Sequence, residues 1–234
     1  MTISFAVNNS NNIVTNSNDC HLIPFGYNCA ASLACNFANL RKFALPFDWV
    51  SPLPPDVIQN ILENKLTDFI PDVRNGIFTN KYNCEFPHFN KNTEEGISAY
   101  ERRITRFNDI MNDSKKKYFI CVNEYYLYSN THRLPEWIHK NFTDMLNLDC
   151  YLKTKYVNMD YVIVYFSYTH HTIPVNHNII NIIIHSSQLF DKIADSPFEE
   201  VRYYCGRLLT SIFNTKMGAM YYTDDIFINE VENS

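Results

Sequence analysis

The run Cys20-His21-Leu22-Ile23-Pro24-Phe25 reads as a short strand, Gly26 breaks it, and Cys29 follows after Tyr27 and Asn28. From Cys29 onward the apolar residues Ala30, Leu33, Ala34, Phe37 and Leu40 recur at helical spacing, which predicts an amphipathic helix to about Arg41. Asn28 is the natural N-cap of that helix. Strand, tight turn, cysteine, helix is the layout of a nucleophile elbow. A helix start favours the thiolate, the reactive form of the residue, through its free amides and dipole. A cysteine entering a helix is also commonly a small buried hydrophobe, so thiol chemistry requires partners.

The first partner is a base. His88 lies between aromatics in Phe86-Pro87-His88-Phe89 and is the first candidate. His185 ends a strand-like run, and ligands in open α/β sheets gather beyond the carboxyl ends of strands, which makes it the second. Each is also readable as a structural histidine. Asp48, between Phe47 and Trp49 in a segment with few other polar groups, is a partly buried acid that needs a partner. It could orient a catalytic histidine or pin its own loop. Arg102 and Arg103, in Tyr100-Glu101-Arg102-Arg103-Ile104, could supply a partner for Asp48 or grip an anionic substrate. The expected catalytic set is Cys29, His88 and Asp48, with Asn28, Trp49, Arg102, Arg103 and His185 placed to meet the substrate.

Several chemistries are excluded. His170 and His171 are adjacent, so on a strand they would point to opposite faces and make a poor metal pair. The seven cysteines contain no Cys-x-x-Cys pair, which argues against a zinc site or a disulfide framework and for reduced thiols in a cytosolic setting. With five glycines and neither a GxGxxG nor a Walker loop, no nucleotide cofactor is expected. A formal net charge of -5 gives no basic stripe for nucleic acid, and Lys115-Lys116-Lys117 reads as a solvated turn. No secretory leader and no apolar stretch of about 20 residues is present, so neither export nor membrane insertion is expected.

The elements that must position these residues follow from periodicity. A chain of 234 residues with 46% hydrophobic and 15% aromatic content can bury one large, aromatic-rich core. Residues 1–19, rich in Asn, Ser and Thr, read as a loose leader or an edge strand from Ile3 to Val7, and 20–234 as a single α/β domain. Helices are predicted from Asp56 to Lys65, Ser98 to Met111, Leu134 to Leu146 and Pro197 to about Phe213. Strands are predicted from Tyr118 to Asn123, Tyr161 to Tyr168 and Ile179 to His185, each apolar enough to be buried on both faces. Interleaved strands and helices predict an α/β fold: a mostly parallel central sheet flanked by helices on both faces. The short connection between the last two strands leaves open an antiparallel strand or a loop crossover.

Gly26-Tyr27-Asn28-Cys29-Ala30-Ala31-Ser32, Leu40-Arg41-Lys42 and Leu45-Pro46-Phe47-Asp48-Trp49 together resemble an uncharacterised family grouped as papain-like cysteine peptidases. In that family a Gly-x-x-Cys turn precedes a helix and a Pro-Phe-Asp-Trp signature. Phe86-Pro87-His88-Phe89 and the stretch from Tyr100 to Phe107, followed by Tyr118-Phe119-Ile120, look similar to the same family. The likeness covers roughly residues 20–185. It implies Cys29 as nucleophile and His88 as base with Asp48 in support, and it adds a papain-like α+β fold as the alternative architecture. The leading expectation is therefore a cysteine-dependent hydrolase or acyl-transfer enzyme acting on an unidentified small-molecule, peptide or glycan substrate. Two alternatives stand beside it. One is a glycan- or nucleotide-sugar-related transferase using Arg102, Arg103 and Asp48, with Cys29 structural. The other is a binding module with Phe47 and Trp49 as its platform.

Overall fold

Runs that are apolar at every position have to be covered on both sides, and that requirement organises this chain. A computed structural model describes residues 20–26, 28–74, 77–89, 93–123, 134–167, 171–183 and 197–213. Its sheet is made of β1 (Cys20–Gly26), β4 (Lys116–Val122), β5 (Tyr161–Ser167) and β6 (Ile179–Ile183), in the order β1-β4-β5-β6. Every pairing is parallel, with Gly26 opposite Val122, Val122 opposite Phe166 and Ser167 opposite Ile183. All residues of β5 are buried, as expected for a strand covered on both faces. The protein is α/β. The antiparallel barrel of the α+β alternative is not found among the described residues.

Two apolar layers cover the sheet. On one face Ile23, Phe25, Phe119, Cys121, Ile163 and Tyr165 pack under α2 (Pro55–Glu63), α3 (Thr93–Asn112) and α4 (Leu134–Lys155). On the other, Tyr118, Ile120, Val122, Val162, Val164 and Phe166 pack under α1 (Ala30–Phe37) and α5 (Pro197–Phe213). The α1 and α5 helices meet at Gly206, where a Cβ would stand 2.7 Å from the Phe37 Cβ and 3.1 Å from the Ala34 carbonyl oxygen. β5 and β6 are parallel and are joined by a loop crossover through 171–178, which resolves the question left by their short connection.

Several elements differ from expectation, among them α3, which starts at Thr93 rather than Ser98. Helix α1 stops at Phe37 rather than Arg41 because Asn39 adopts φ 55°. The amides of Asn39 and Leu40 then bond back to the carbonyls of Asn36 and Cys35, both at 2.9 Å, which is a Schellman closure. Helix α4 continues past Leu146 to Lys155, carried by Leu148 and Leu152 in the core. A hairpin of β2 (Asp72–Arg74) and β3 (Ile77–Thr79) stands where no strand was predicted, although Asn75-Gly76 in the sequence is a strong hairpin signal. The Ile3 to Val7 strand and His185 fall outside the described residues.

Candidate functional site

Parallel strands place all their carboxyl ends on one edge, so Asn28 and Cys29 leave the sheet at the edge where β4 and β5 also end. The departure turns on Gly26, whose φ of +146° is a conformation side chains rarely adopt. A Cβ at Gly26 would sit 3.4 Å from both the nitrogen and the oxygen of Val122. Cys29 is already helical (φ −66°, ψ −1°), and its carbonyl accepts the first helical bond, from the Leu33 amide at 2.9 Å. Asn28 Oδ1 accepts from the Ala30 amide at 2.8 Å. The N-cap is therefore Cys29 itself, half-buried, one residue later than the Asn28 expected, and Asn28 contributes the bond from the Ala30 amide.

One turn further, the Ser32 hydroxyl donates to Asp48, to its carbonyl oxygen at 2.9 Å and its Oδ1 at 3.2 Å. Asp48 has no solvent exposure. Its Oδ2 accepts from Arg41 Nη2 at 2.6 Å, Arg41 Nε at 3.1 Å and the Leu45 amide at 2.9 Å. A carboxylate this buried keeps its charge only with such partners. The flanking residues are equally committed. Phe47 packs edge-on against Phe25, Phe69 and Phe107 at 5.2–5.3 Å. Trp49 lies beneath the Arg41 guanidinium, 5.5 Å from its ring centroid. Being buried, Phe47 and Trp49 offer no open platform.

Trp49 also meets His88. Their rings stand 5.5 Å apart at 72°, an edge-to-face contact. The backbone ties the two segments together: Ser51 and Glu85 exchange both amide-to-carbonyl bonds, at 3.0 and 2.6 Å. Asn80 shapes the turn that leads into the His88 segment. Its Oδ1 accepts from the amides of Tyr82 and Cys84, and its Nδ2 donates to the Phe69 carbonyl, all at 3.0 Å. His88 itself is exposed.

The structure corrects one pairing. Asp48 is held by Arg41, not by Arg102 or Arg103, because the reversal at Asn39 returns Arg41 alongside α1. Arg102 is exposed and donates to Ser98 Oγ at 2.9 Å. Arg103 lies over the Tyr100 ring at 4.8 Å, and burial first of all pushes the Tyr100 hydroxyl up to about 12. Nor is a histidine among the hydrogen-bond partners of the Asp48 carboxylate, which are Ser32, Arg41 and the Leu45 amide. Asn28, Cys29, Asp48, Trp49 and His88 form one connected region, and the Asp48 carboxylate accepts from neither Arg102 nor Arg103.

Sequence reasoning missed Ser32 and Arg41 as members of the site. The available signal was the Arg41-Lys42 pair between the helix and Pro-Phe-Asp-Trp, a few residues before a buried acid. It also missed a second buried carboxylate, Asp149. That group accepts from Tyr161 Oη at 2.7 Å and Lys153 Nζ at 2.6 Å, and pairs with His177 Nδ1 at 2.7 Å. It lies by the amino end of β5, on the edge away from Cys29. Burial, and then the Asp48 carboxylate, push the Cys35 thiol up, and burial does the same to Cys121. All seven cysteines are free thiols. Among the described residues no group of His, Cys, Asp and Glu could hold a metal, and no helix is long and apolar enough to cross a membrane.

The fold and the site define an α/β protein with a parallel sheet and a cysteine at the N-cap of a helix on its carboxyl edge. Comparison with family models, curated proteins and solved structures found no match to the chain.

Proposed function

We propose that the protein is a cysteine-dependent hydrolase or acyl-transfer enzyme in which Cys29 is the nucleophile and His88 the base. The observation that carries this reading is the placement of Cys29. It is the N-cap residue of α1, beside the bond from the Ala30 amide to Asn28 Oδ1, at the carboxyl edge of a parallel sheet. Ser32, Asp48 and Trp49 connect that turn to His88. Helix-start amides stabilise a thiolate and, in the next step, the oxyanion of a tetrahedral intermediate. The Cys29 sulfur attacks an acyl carbon and forms a thioester as the bond to the leaving amine or alcohol breaks. The proton that His88 took from the thiol goes to that leaving group. Water or a second acceptor then releases the acyl group and restores the thiol.

The resemblance to papain-like cysteine peptidases favours an amide or ester as the acyl donor. The transferase alternative relied on Asp48 and the paired arginines, and it is weaker because Arg41 already occupies Asp48. The test is alkylation by iodoacetamide at a pH near 6, read thiol by thiol by mass spectrometry. Cys29 should be labelled ahead of Cys150, the exposed thiol, and His88→Ala should remove that advantage. Labelling of Cys29 no faster than Cys150 overturns the reading.

A further inference from the structure

One side chain touches both arms of this site. Arg41 grips Asp48, which holds Ser32 in the first turn of the Cys29 helix. The same guanidinium lies over Trp49, whose ring is the wall against which His88 stands. We propose that Arg41 is a positioning residue that sets the nucleophile's helix and the His88 imidazole in one fixed relation. This rests on the reading of Cys29 and His88 as nucleophile and base.

The geometry demands arginine at this position. Two nitrogens, Nε and Nη2, converge on a single Asp48 oxygen, which orients the guanidinium plane. The same guanidinium sits over the indole, so one side chain makes both the cation–π contact and the carboxylate bonds. Lysine would keep the charge beside Asp48 but offers a compact ammonium on a flexible stem, with neither the second convergent donor nor the flat face. The indole would lose its lid and His88 its fixed wall. Only 15% of the Arg41 side chain is exposed, so the contact is largely shielded from water.

The experiment compares wild type, Arg41→Lys and Trp49→Phe in two readouts that a merely structural role would not move. The first is the pH profile of Cys29 alkylation. The second is the NMR titration of the His88 ring. Arg41→Lys should slow Cys29 labelling at pH near 6 by roughly ten- to a hundredfold, the scale of a small misplacement of a reacting group. Its profile should move towards that of an isolated thiol, near ~8.5, and the His88 ring signals should shift. Should Arg41→Lys fail to fold, Trp49→Phe carries the test, since it leaves the Asp48 pair intact and removes the indole that contacts both Arg41 and His88. Unchanged profiles and ring signals in the folded variants overturn the proposal while leaving the nucleophile and base in place. Slow, unselective labelling of Cys29 in the wild type overturns the function itself.

Discussion

Asp48 and Arg41 form a fork in which both Nε and Nη2 of the arginine converge on one fully buried carboxylate oxygen, at 3.1 and 2.6 Å. The pair closes the loop that carries Phe47 and Trp49 onto the flank of α1. A buried charge that loses its partner is far more destabilising than the pair is stabilising, since it keeps its desolvation cost and loses its compensation.

Asp48→Asn should therefore lower stability by about 2–4 kcal/mol, below the upper range for broken buried pairs because the Arg41 side chain has some access to water. Urea unfolding of the variant measures this. A loss under half a kcal/mol would show that the loop is held by Phe47 packing alone.

The buried thiols should report global unfolding. Burial pushes Cys84 up to about 12, partly offset by its bond to Asn80, and pushes Cys35 and Cys121 up as well. At pH ~8 a disulfide-exchange reagent should consume Cys150 at once and reach these three only at the unfolding rate. Fast reaction of Cys121 under native conditions would contradict its place in the central strand.

Acid should weaken the opposite edge of the sheet. Burial alone would raise the Asp113 carboxyl, but hydrogen bonds from Lys117 and His21 outweigh it and hold the group below its ordinary value. A carboxylate depressed in the folded state contributes stability above its unfolded value of ~3.9, and that contribution is lost as pH falls through the folded value. Asp113→Asn should flatten the acid limb of the stability curve below pH ~4 and leave the neutral region's slope unchanged. An acid limb identical to wild type would refute the assignment.

Gly206 should resist the smallest enlargement. A methyl group there would sit 2.7 Å from the Phe37 Cβ, between two helices with no space to part. Gly206→Ala should cost about 1–3 kcal/mol despite the better helix propensity of alanine, as overpacked cores do. Thermal unfolding decides it, and a rise in Tm would mean that α1 and α5 separate freely.

Asp149 anchors the crossover between β5 and β6 through His177 Nδ1 and the Asn178 amide, at 2.7 and 3.4 Å. Asp149→Ala should speed amide exchange in 176–179 before it affects β4, because the loop loses its tie while the sheet keeps its pairing. Uniform exchange across the sheet would instead point to a global loss of stability.

Much of the architecture was legible in local patterns. The apolar runs of β4 and β5 and the helical spacing from Ala30 to Phe37 announce their elements because burial acts on neighbouring residues. The helix start was legible for the same reason, although its N-cap falls at Cys29, one residue past the Asn28 expected. Cys29 at a helix start therefore follows from the sequence by itself. The partner of Asp48 did not. Periodicity carried the helix on to Arg41, and only the left-handed turn at Asn39 showed that Arg41 folds back to the carboxylate. The meeting of Trp49 with His88, and of Asp149 with His177, likewise depended on tertiary structure. Charge and ring contacts between distant segments leave no periodic trace, and their geometry exists only once the sheet and its two layers of helices bring the loops together.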